Sequence, residues 1–158
     1  MKKICVFSDS HGYADNMLAA IERERPDLVI HLGDGAADLD IVRRRFPSLP
    51  IESLEGNCDR FCDALTELHT TVAGKRIFAV HGHRHGVKLD PGLTRLRFAA
   101  MEDRADIVLY GHTHAAHNEK SGGMLIVNPG SCGYTARPTY AVIEIDGENV
   151  TAEIRAAV

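Results

Sequence analysis

The chain has 158 residues, of which 44% are apolar and 25% are charged. This length and composition predict one soluble globular domain, residues 1–158, with a sizeable core. The net charge of −4 gives no basic footprint for nucleic acid, so a nucleic-acid partner is not expected. No apolar run approaches the roughly 20 residues of a membrane span, and the run near the N-terminus is too short for a signal peptide. We therefore expect a cytoplasmic protein that does not bind membranes.

Short apolar runs alternate with amphipathic stretches along the chain. Pro26 and Pro47 close the first two periodic segments, and the third segment places Leu96 and Met101 on its inward face. The second half contains mostly hairpin signals, including a Gly74-Lys75 turn. These patterns predict an α/β sandwich, in which the βα units supply parallel strands and the C-terminal part of the chain supplies antiparallel strands. Strands are predicted at 3–7, 28–32, 51–54, 67–73, 76–80, 106–110, 116–120, 124–127, 140–145 and 150–154, and helices at 13–25, 37–46 and 93–104.

One pattern recurs at the ends of five predicted strands. Each strand is followed by a side chain that can bind a metal ion, usually with a glycine nearby, which permits tight turns. Strand ends at one edge of an α/β sheet gather in one crevice, so these side chains are expected to meet. In chain order they are Asp9 and His11, Asp34, Asn57, His81, and His112 with His114.

The number and type of these groups point to two ions. Two carboxylates, one amide oxygen and four imidazoles exceed the needs of one ion and suit two if one carboxylate bridges them. The mixed nitrogen and oxygen set fits Mn²⁺, Fe, Zn²⁺, Co²⁺ or Ni²⁺ and contains too much imidazole for Ca²⁺. In an extended segment, the two-residue spacings of Asp9 with His11 and of His112 with His114 would point both side chains the same way, so that each pair can hold one ion.

Each of these residues also has a simpler explanation when it is taken alone. A single Asp after a strand is usually a helix N-cap, and a single Asn is usually a turn residue. Such roles in five successive strand-end loops would be an implausible coincidence. Cys58 and Cys62 lack C-x-x-C spacing and do not predict a zinc site; Cys62 is interpreted as packing and Asp59 as a loop-fixing group.

Five motifs in order, D-x-H, G-D, G-N, H and G-H-x-H, resemble the calcineurin-like metallophosphoesterase superfamily. The sequence presents them as Asp9-Ser10-His11, Gly33-Asp34, Gly56-Asn57, His81 and Gly111-His112-Thr113-His114. The segment "NPGS" at 128–131 resembles the small single-domain phosphodiesterase branch of that superfamily.

The resemblance implies a four-layer αββα sandwich, two mixed β-sheets flanked by helices, with two divalent metal ions. Asp9, His11 and His114 would hold the first ion, while Asn57, His81 and His112 would hold the second and Asp34 would bridge them. Manganese is the favoured metal, with Fe, Zn, Ni and Co as alternatives. The implied activity is phosphodiester hydrolysis, by in-line attack of a hydroxide that bridges the two ions.

One position departs from the pattern of many larger members of this superfamily. They have a histidine directly after the metal-binding Asn, where it is thought to protonate the leaving group, and this chain has Cys58. A thiol with a pKa near 8.5 is a poorer general acid at neutral pH than an imidazolium. We therefore predict a preference for activated leaving groups, with His83 or His85 as alternative proton donors.

Two other functions are also compatible with these residues. A metal centre alone does not distinguish a phosphodiesterase from a phosphomonoesterase or nucleotidase acting on a small phosphoester. The same superfamily also includes a non-catalytic scaffold with a degraded metal site, whereas all seven donor positions are intact in this chain. An exposed sheet edge is also compatible with a homodimer.

Overall fold

A computed structural model describes residues 1–60 and 63–158 of the chain. Cys62 lies outside the described residues. A short 3₁₀ turn, His83–His85, follows the fifth strand. The elements in order are β1 (Lys2–Phe7), α1 (Asp15–Glu24), β2 (Leu28–His31), α2 (Ala36–Arg45), β3 (Ile51–Ser53), β4 (Glu67–Val72), β5 (Lys75–Val80), α3 (Thr94–Glu102), β6 (Ile107–Leu109), β7 (His117–Ser121), β8 (Met124–Asn128), β9 (Thr139–Asp146) and β10 (Asn149–Ala156).

The strands form two sheets of five strands each. The first sheet has the order β10-β9-β1-β2-β3 and the second has the order β4-β5-β6-β8-β7. In the first, β1, β2 and β3 are parallel, while β9 runs antiparallel to both β1 and β10. In the second, β5, β6 and β8 are parallel and β4 and β7 are antiparallel edge strands. Both sheets are therefore mixed, as expected from βα units followed by hairpins.

Alternation along the buried strands produces the layers. In β1, Ile4 and Val6 join the apolar cluster between the two sheets, which includes Ile77 of β5. Cys5 and Phe7 point the opposite way and pack in a second cluster with α1 and α2. A third cluster joins the outer face of the second sheet to α3. This arrangement confirms the predicted αββα sandwich, because α1 and α2 cover the outer face of the first sheet and α3 covers that of the second.

Two details of the sequence prediction were wrong. Met101 was expected to face inward, but its surface is 67% exposed while Ala100 is fully buried. One residue corresponds to 100° around a helix, which carries Met101 off the narrow apolar face of α3. The hairpin turn also lies one residue earlier than predicted, since Ala73 and Gly74 both have positive φ and Lys75 already belongs to β5.

Within the described ranges, no helix is both long and apolar enough to cross a membrane.

Candidate metal centre

Side chains from the five strand-end loops meet in two compact groups. The first donor group consists of Asp9, His11 and His114, and the second donor group consists of Asp34, His81 and His112. In each group, one potential ligand atom per residue lies within 4.8 Å of the others. The amide oxygen of Asn57 lies 3.0 Å from His81 Nε2, which places Asn57 beside the second group. All seven predicted donors are thus brought together.

Asp34 lies between the two groups. Its Oδ2 atom is 3.3 Å from His81 Nε2 in the second donor group and 3.7 Å from His11 Nε2 in the first. The side chain is almost completely buried. A single carboxylate oxygen is therefore within reach of ligand atoms on both sides.

Hydrogen bonding orients the His81 ring so that its Nε2 atom faces the centre. Its Nδ1 atom lies 2.8 Å from the carbonyl oxygen of Leu32, and a carbonyl can only accept, so Nδ1 carries the proton. Nε2 then points into the centre, 3.0 Å from Asn57 Oδ1 and 3.2 Å from His112 Nδ1. A histidine whose second nitrogen donates to a backbone carbonyl is typical of metal-binding histidines.

The first donor group has a similar excess of acceptor atoms. Asp9 is fully buried, and its Oδ1 atom has no hydrogen-bond partner within residues 1–60 and 63–158. That oxygen lies 3.2 Å from His114 Nε2 and 3.5 Å from His11 Nε2. Its other oxygen, Oδ2, accepts bonds from the Ser8 hydroxyl and the His112 backbone N–H. Because a buried unpaired carboxylate oxygen is costly, this donor set fits a bound cation.

The two groups also perturb each other's protonation. Burial raises the pKa of Asp34, but bonds with His81 and the Cys58 backbone N–H outweigh burial and hold that pKa well below its usual range. Burial and the neighbouring His81 lower the pKa of His112 to about 4. His81 is also buried, which lowers its pKa, yet Asp34 and Asp9 give a net increase. An ionised Asp34 and a neutral His112 are the protonation states in which these groups bind metal ions.

The backbone around the donors is unusual. Asp9, His11, Asp34, His112 and His114 all have φ between 46° and 69°. Non-glycine residues rarely adopt this left-handed region, and such strain is concentrated at functional sites. The extended backbone that we assumed for the two spaced pairs was therefore wrong.

The consequence is clearest for the second pair. His112 joins Asp34 and His81, whereas His114 joins Asp9 and His11. The left-handed turns direct the two imidazoles into different groups, so the simple alternation argument, in which His112 and His114 hold one ion together, fails. The division implied by the family resemblance is the one that the geometry matches.

Glycines permit the close approach of neighbouring loops. A Cβ atom added to Gly56 would lie 2.1 Å from Asp34 Oδ1, and one added to Gly111 would lie 2.1 Å from the Ser8 hydroxyl. Neither glycine has positive φ. Both positions therefore require glycine for space and not for backbone conformation.

Asp59 connects the loops that carry Asp34 and Asn57. Its carboxylate accepts four backbone N–H groups, from Asp34 at 2.6 Å, Gly56 at 2.8 Å, Gly35 at 3.0 Å and Ala36 at 3.1 Å. Two of these donors lie at the start of α2, where a negative charge is also favoured by the helix dipole. The predicted loop-fixing role of Asp59 has a clear geometric basis.

A second buried network was missed by the sequence analysis. The Gly33 N–H donates to His31 Nδ1 at 3.1 Å, which leaves the ring proton on Nε2, 3.1 Å from the Ser10 hydroxyl. Ser10 donates to Asp38 at 2.6 Å, and Asp38 also accepts the Gly12 N–H at 3.0 Å. Burial lowers the pKa of His31 to about 4, in agreement with a neutral ring. This network ties the D-x-H loop to the G-D loop, and a histidine within the apolar run 28–32 was its signal in the sequence.

The candidate proton donors flank the centre on different sides. Cys58 Sγ lies within 4.8 Å of ligand atoms of both His11 and Asp34. Burial and Asp34 raise the pKa of this thiol. His83 lies beside the second donor group, with its ring centroid 5.4 Å from that of His81. His85 is directed elsewhere, since it packs edge-on against Phe78 with Nε2 3.9 Å from a carboxylate oxygen of Glu67.

Comparison with known proteins agrees with this geometry. The family described as the calcineurin-like phosphoesterase superfamily domain matches residues 1–148. A probable metallophosphoesterase of Bacillus subtilis, YsnB, is 32% identical over 154 residues, covering 94% of this chain and 87% of the relative. The phosphodiesterase MJ0936 of Methanocaldococcus jannaschii is 29% identical over 163 residues, covering 91% and 93%.

A solved structure shares the fold at lower identity. Vps29 from Entamoeba histolytica, crystallised with Zn²⁺, superposes with a TM-score of 0.76 at 20% identity and covers 99% of both chains. The family implies divalent metal ions, and the two donor groups are candidates to hold them. The chain therefore belongs to the calcineurin-like phosphoesterase superfamily, a family of metal-dependent phosphoric ester hydrolases.

Proposed function

We propose that this chain hydrolyses phosphodiesters at a centre of two divalent ions. The position of Asp34 carries the proposal, because one of its oxygens lies within 3.7 Å of a histidine nitrogen in each donor group. Asp9, His11 and His114 would hold one ion, Asn57, His81 and His112 the other, and Asp34 both. Manganese is the proposed metal, and the nitrogen and oxygen donors are also compatible with Fe, Zn, Co or Ni.

The donor set also determines the charge of the site. Two divalent ions supply Lewis-acid activation of water and of phosphate oxygens. Of the seven donors only Asp9 and Asp34 are anionic, while Asn57 contributes an uncharged oxygen. The loaded centre therefore retains positive charge, which favours a small phosphoester anion as substrate over a neutral ester.

The groups near the centre limit which esters are cleaved. Cys58 lies beside His11 and Asp34 and donates its backbone N–H to Asp34 Oδ1 at 2.8 Å. Because a thiol is a weak acid near neutral pH, we propose that Cys58 gives little help to a poor leaving group. His83 is the alternative donor, because its ring centroid lies 5.4 Å from that of His81.

The proposal is tested by metal-dependent hydrolysis. Purified protein is stripped with EDTA, assayed with bis(p-nitrophenyl) phosphate, and assayed again after addition of Mn²⁺, with bound metal counted by mass spectrometry. We expect turnover only in the reloaded protein, with about two ions bound per chain. An Asn57→Ala variant should lose one ion and most of the activity.

Two other functions give different results in the same assay. A phosphomonoesterase would hydrolyse p-nitrophenyl phosphate faster than the diester. A non-catalytic scaffold would show no metal-dependent turnover with either compound and would keep its thermal stability in EDTA. Either result would contradict the proposal. Parallel size-exclusion chromatography tests whether the chain forms the homodimer that an exposed sheet edge would allow.

A further inference from the structure

The chain's four tyrosines fall into two pairs with different environments. Tyr110 and Tyr140 are buried, and their hydroxyls bond to His117 at 2.7 Å and Glu24 at 2.6 Å. Tyr13 is only half-buried and Tyr134 is 91% exposed. No described residue forms a hydrogen bond with either of their hydroxyls. Packing and hydrogen bonding in the core therefore account for Tyr110 and Tyr140 but not for Tyr13 and Tyr134.

Tyr13 lies at the edge of the D-x-H loop, which carries Asp9 and His11. It is two residues after His11, and its N–H donates to the Ser10 carbonyl at 3.0 Å. This bond closes a tight turn through Gly12, whose surroundings are open, since an added Cβ would meet no atom within 4 Å. The turn keeps Tyr13 close to the backbone of the D-x-H loop.

Tyr134 reaches the same edge from a different part of the chain. Its neighbour Gly133 packs against the D-x-H loop so closely that an added Cβ would lie 2.5 Å from the Ser10 carbonyl oxygen. The loop is held there by bonds from the Ser131 hydroxyl to Asp9 O, at 2.8 Å, and from the Asn16 side chain to Gly133 O, at 3.2 Å. An anchored backbone thus supports an exposed aromatic ring.

The two rings contact each other across these loops. Their centroids are 5.7 Å apart and the rings meet edge to face at 63°. Because Tyr134 is 91% exposed, its ring keeps aromatic surface open to solvent beside this contact. The backbone segments that carry both rings adjoin the first donor group, because Tyr13 is two residues after His11 and the Ser131 hydroxyl bonds to the Asp9 carbonyl oxygen.

We propose that Tyr13 and Tyr134 form an aromatic subsite for a planar ring carried by the phosphoester, with a nucleobase as the chemical class. This inference rests on the proposed function, in which the donor groups hold the phosphate. A base joined to that phosphate through a sugar would stack on the exposed Tyr134 ring, while Tyr13 keeps that ring in place. A simple alkyl ester would gain no binding affinity from this surface.

Calorimetry with two matched phosphates tests the subsite. AMP and ribose 5-phosphate share the sugar and the phosphate and differ in the base. Titrated into Mn²⁺-loaded protein, AMP should bind about tenfold more tightly, since stacking of a base on an aromatic side chain contributes roughly 5- to 150-fold in affinity. Phosphate release is followed in parallel so that any turnover of either compound is detected.

Three variants separate the subsite from general effects on the protein. Tyr134→Ala should bring the two affinities within about twofold of each other by removing the stacking surface, and should leave ribose 5-phosphate binding unchanged. Tyr134→Phe retains the ring and should keep the preference. Phe98→Ala removes another exposed aromatic side chain, 63% accessible on α3, and should have no effect.

The outcomes distinguish this inference from the proposed function. Equal affinities in the native protein, or a preference that survives Tyr134→Ala, would overturn the aromatic subsite alone. If neither phosphate binds, the subsite and the proposed phosphate centre both fail. Preferential AMP binding that depends on Tyr134, without diester hydrolysis, would support the subsite and refute the proposed activity.

Discussion

Replacement of Asp59 by Asn should loosen both the fold and the metal centre. The two carboxylate oxygens accept two backbone N–H groups each, Gly35 and Ala36 on Oδ1, and Asp34 and Gly56 on Oδ2. An Asn side chain offers one oxygen and one N–H₂ group, so two backbone donors would face another donor. The variant retains nearly the same volume, which isolates the loss of acceptors.

The magnitude follows from those two lost acceptors. Each partly buried N–H left without a partner costs about 1–3 kcal/mol, and the lost charge at the start of α2 adds about 0.3–1 kcal/mol. Because Asp59 is only half-buried, water can satisfy part of this demand. We expect the free energy of unfolding of the metal-free protein to fall by roughly 3 kcal/mol.

Urea denaturation at pH 7, followed by circular dichroism, measures this change. Asp63→Asn is the matched control, since Asp63 is exposed, and it should change the unfolding free energy by less than about 0.5 kcal/mol. The affinity for Mn²⁺ should also fall by about 10- to 100-fold in Asp59→Asn, as found when the supports of metal ligands are removed. A free energy of unfolding within about 0.5 kcal/mol of the native protein would refute the hydrogen-bond argument.

Three further substitutions test other parts of the structure. Cys58→His should raise the rate for alkyl esters more than for aryl esters, because an imidazolium protonates poor leaving groups better than a thiol; equal increases would contradict the assigned position of the acid. Glu24→Gln tests a buried carboxylate that bonds Tyr140 and Arg155, bonds that outweigh burial and lower its pKa from 4.5 to about 2. A lowered pKa stabilises the fold above the unfolded value of 4.5 and loses that effect as the pH falls toward 2. The stability difference between native protein and Glu24→Gln should therefore shrink by roughly 2 kcal/mol between pH 7 and pH 3 in urea titrations, and a pH-independent difference would exclude this linkage. Gly56→Ala should abolish tight Mn²⁺ binding in calorimetry, because the new methyl group would overlap Asp34 Oδ1 at 2.1 Å. Gly92→Ala, with its nearest atom at 3.6 Å, should bind Mn²⁺ like the native protein.

Much of the architecture could be predicted from local patterns. The apolar run at 3–7 identified β1, and the periodic segments before Pro26 and Pro47 identified α1 and α2. These signals are reliable because strands buried on both faces need continuous apolar residues and proline interrupts a helix. The inward position predicted for Met101 failed, since a helix as short as α3 buries only a narrow face.

The candidate donor residues could also be identified from the sequence, but the spacing of these residues did not give their grouping. Five strand-end loops marked all seven side chains, because the carboxyl ends of strands present loops at one edge. The residue spacing does not reveal that His112 and His114 turn into different groups, a division that only the family resemblance implied. That depends on left-handed backbone conformations, which only contacts with other loops can hold in place.

The sequence by itself determined the set of ligand-capable side chains, the αββα order of elements and the cysteine at position 58. The tertiary structure alone decided the position of Asp34 between the two groups, the four N–H groups gathered by Asp59, and the meeting of Tyr13 with Tyr134. Apart from the bond between Gly56 and Asp59, these features join residues that are 23 to 121 positions apart in the chain. Local preference carries no information about such distant pairs, and only the packing of two sheets brings them together.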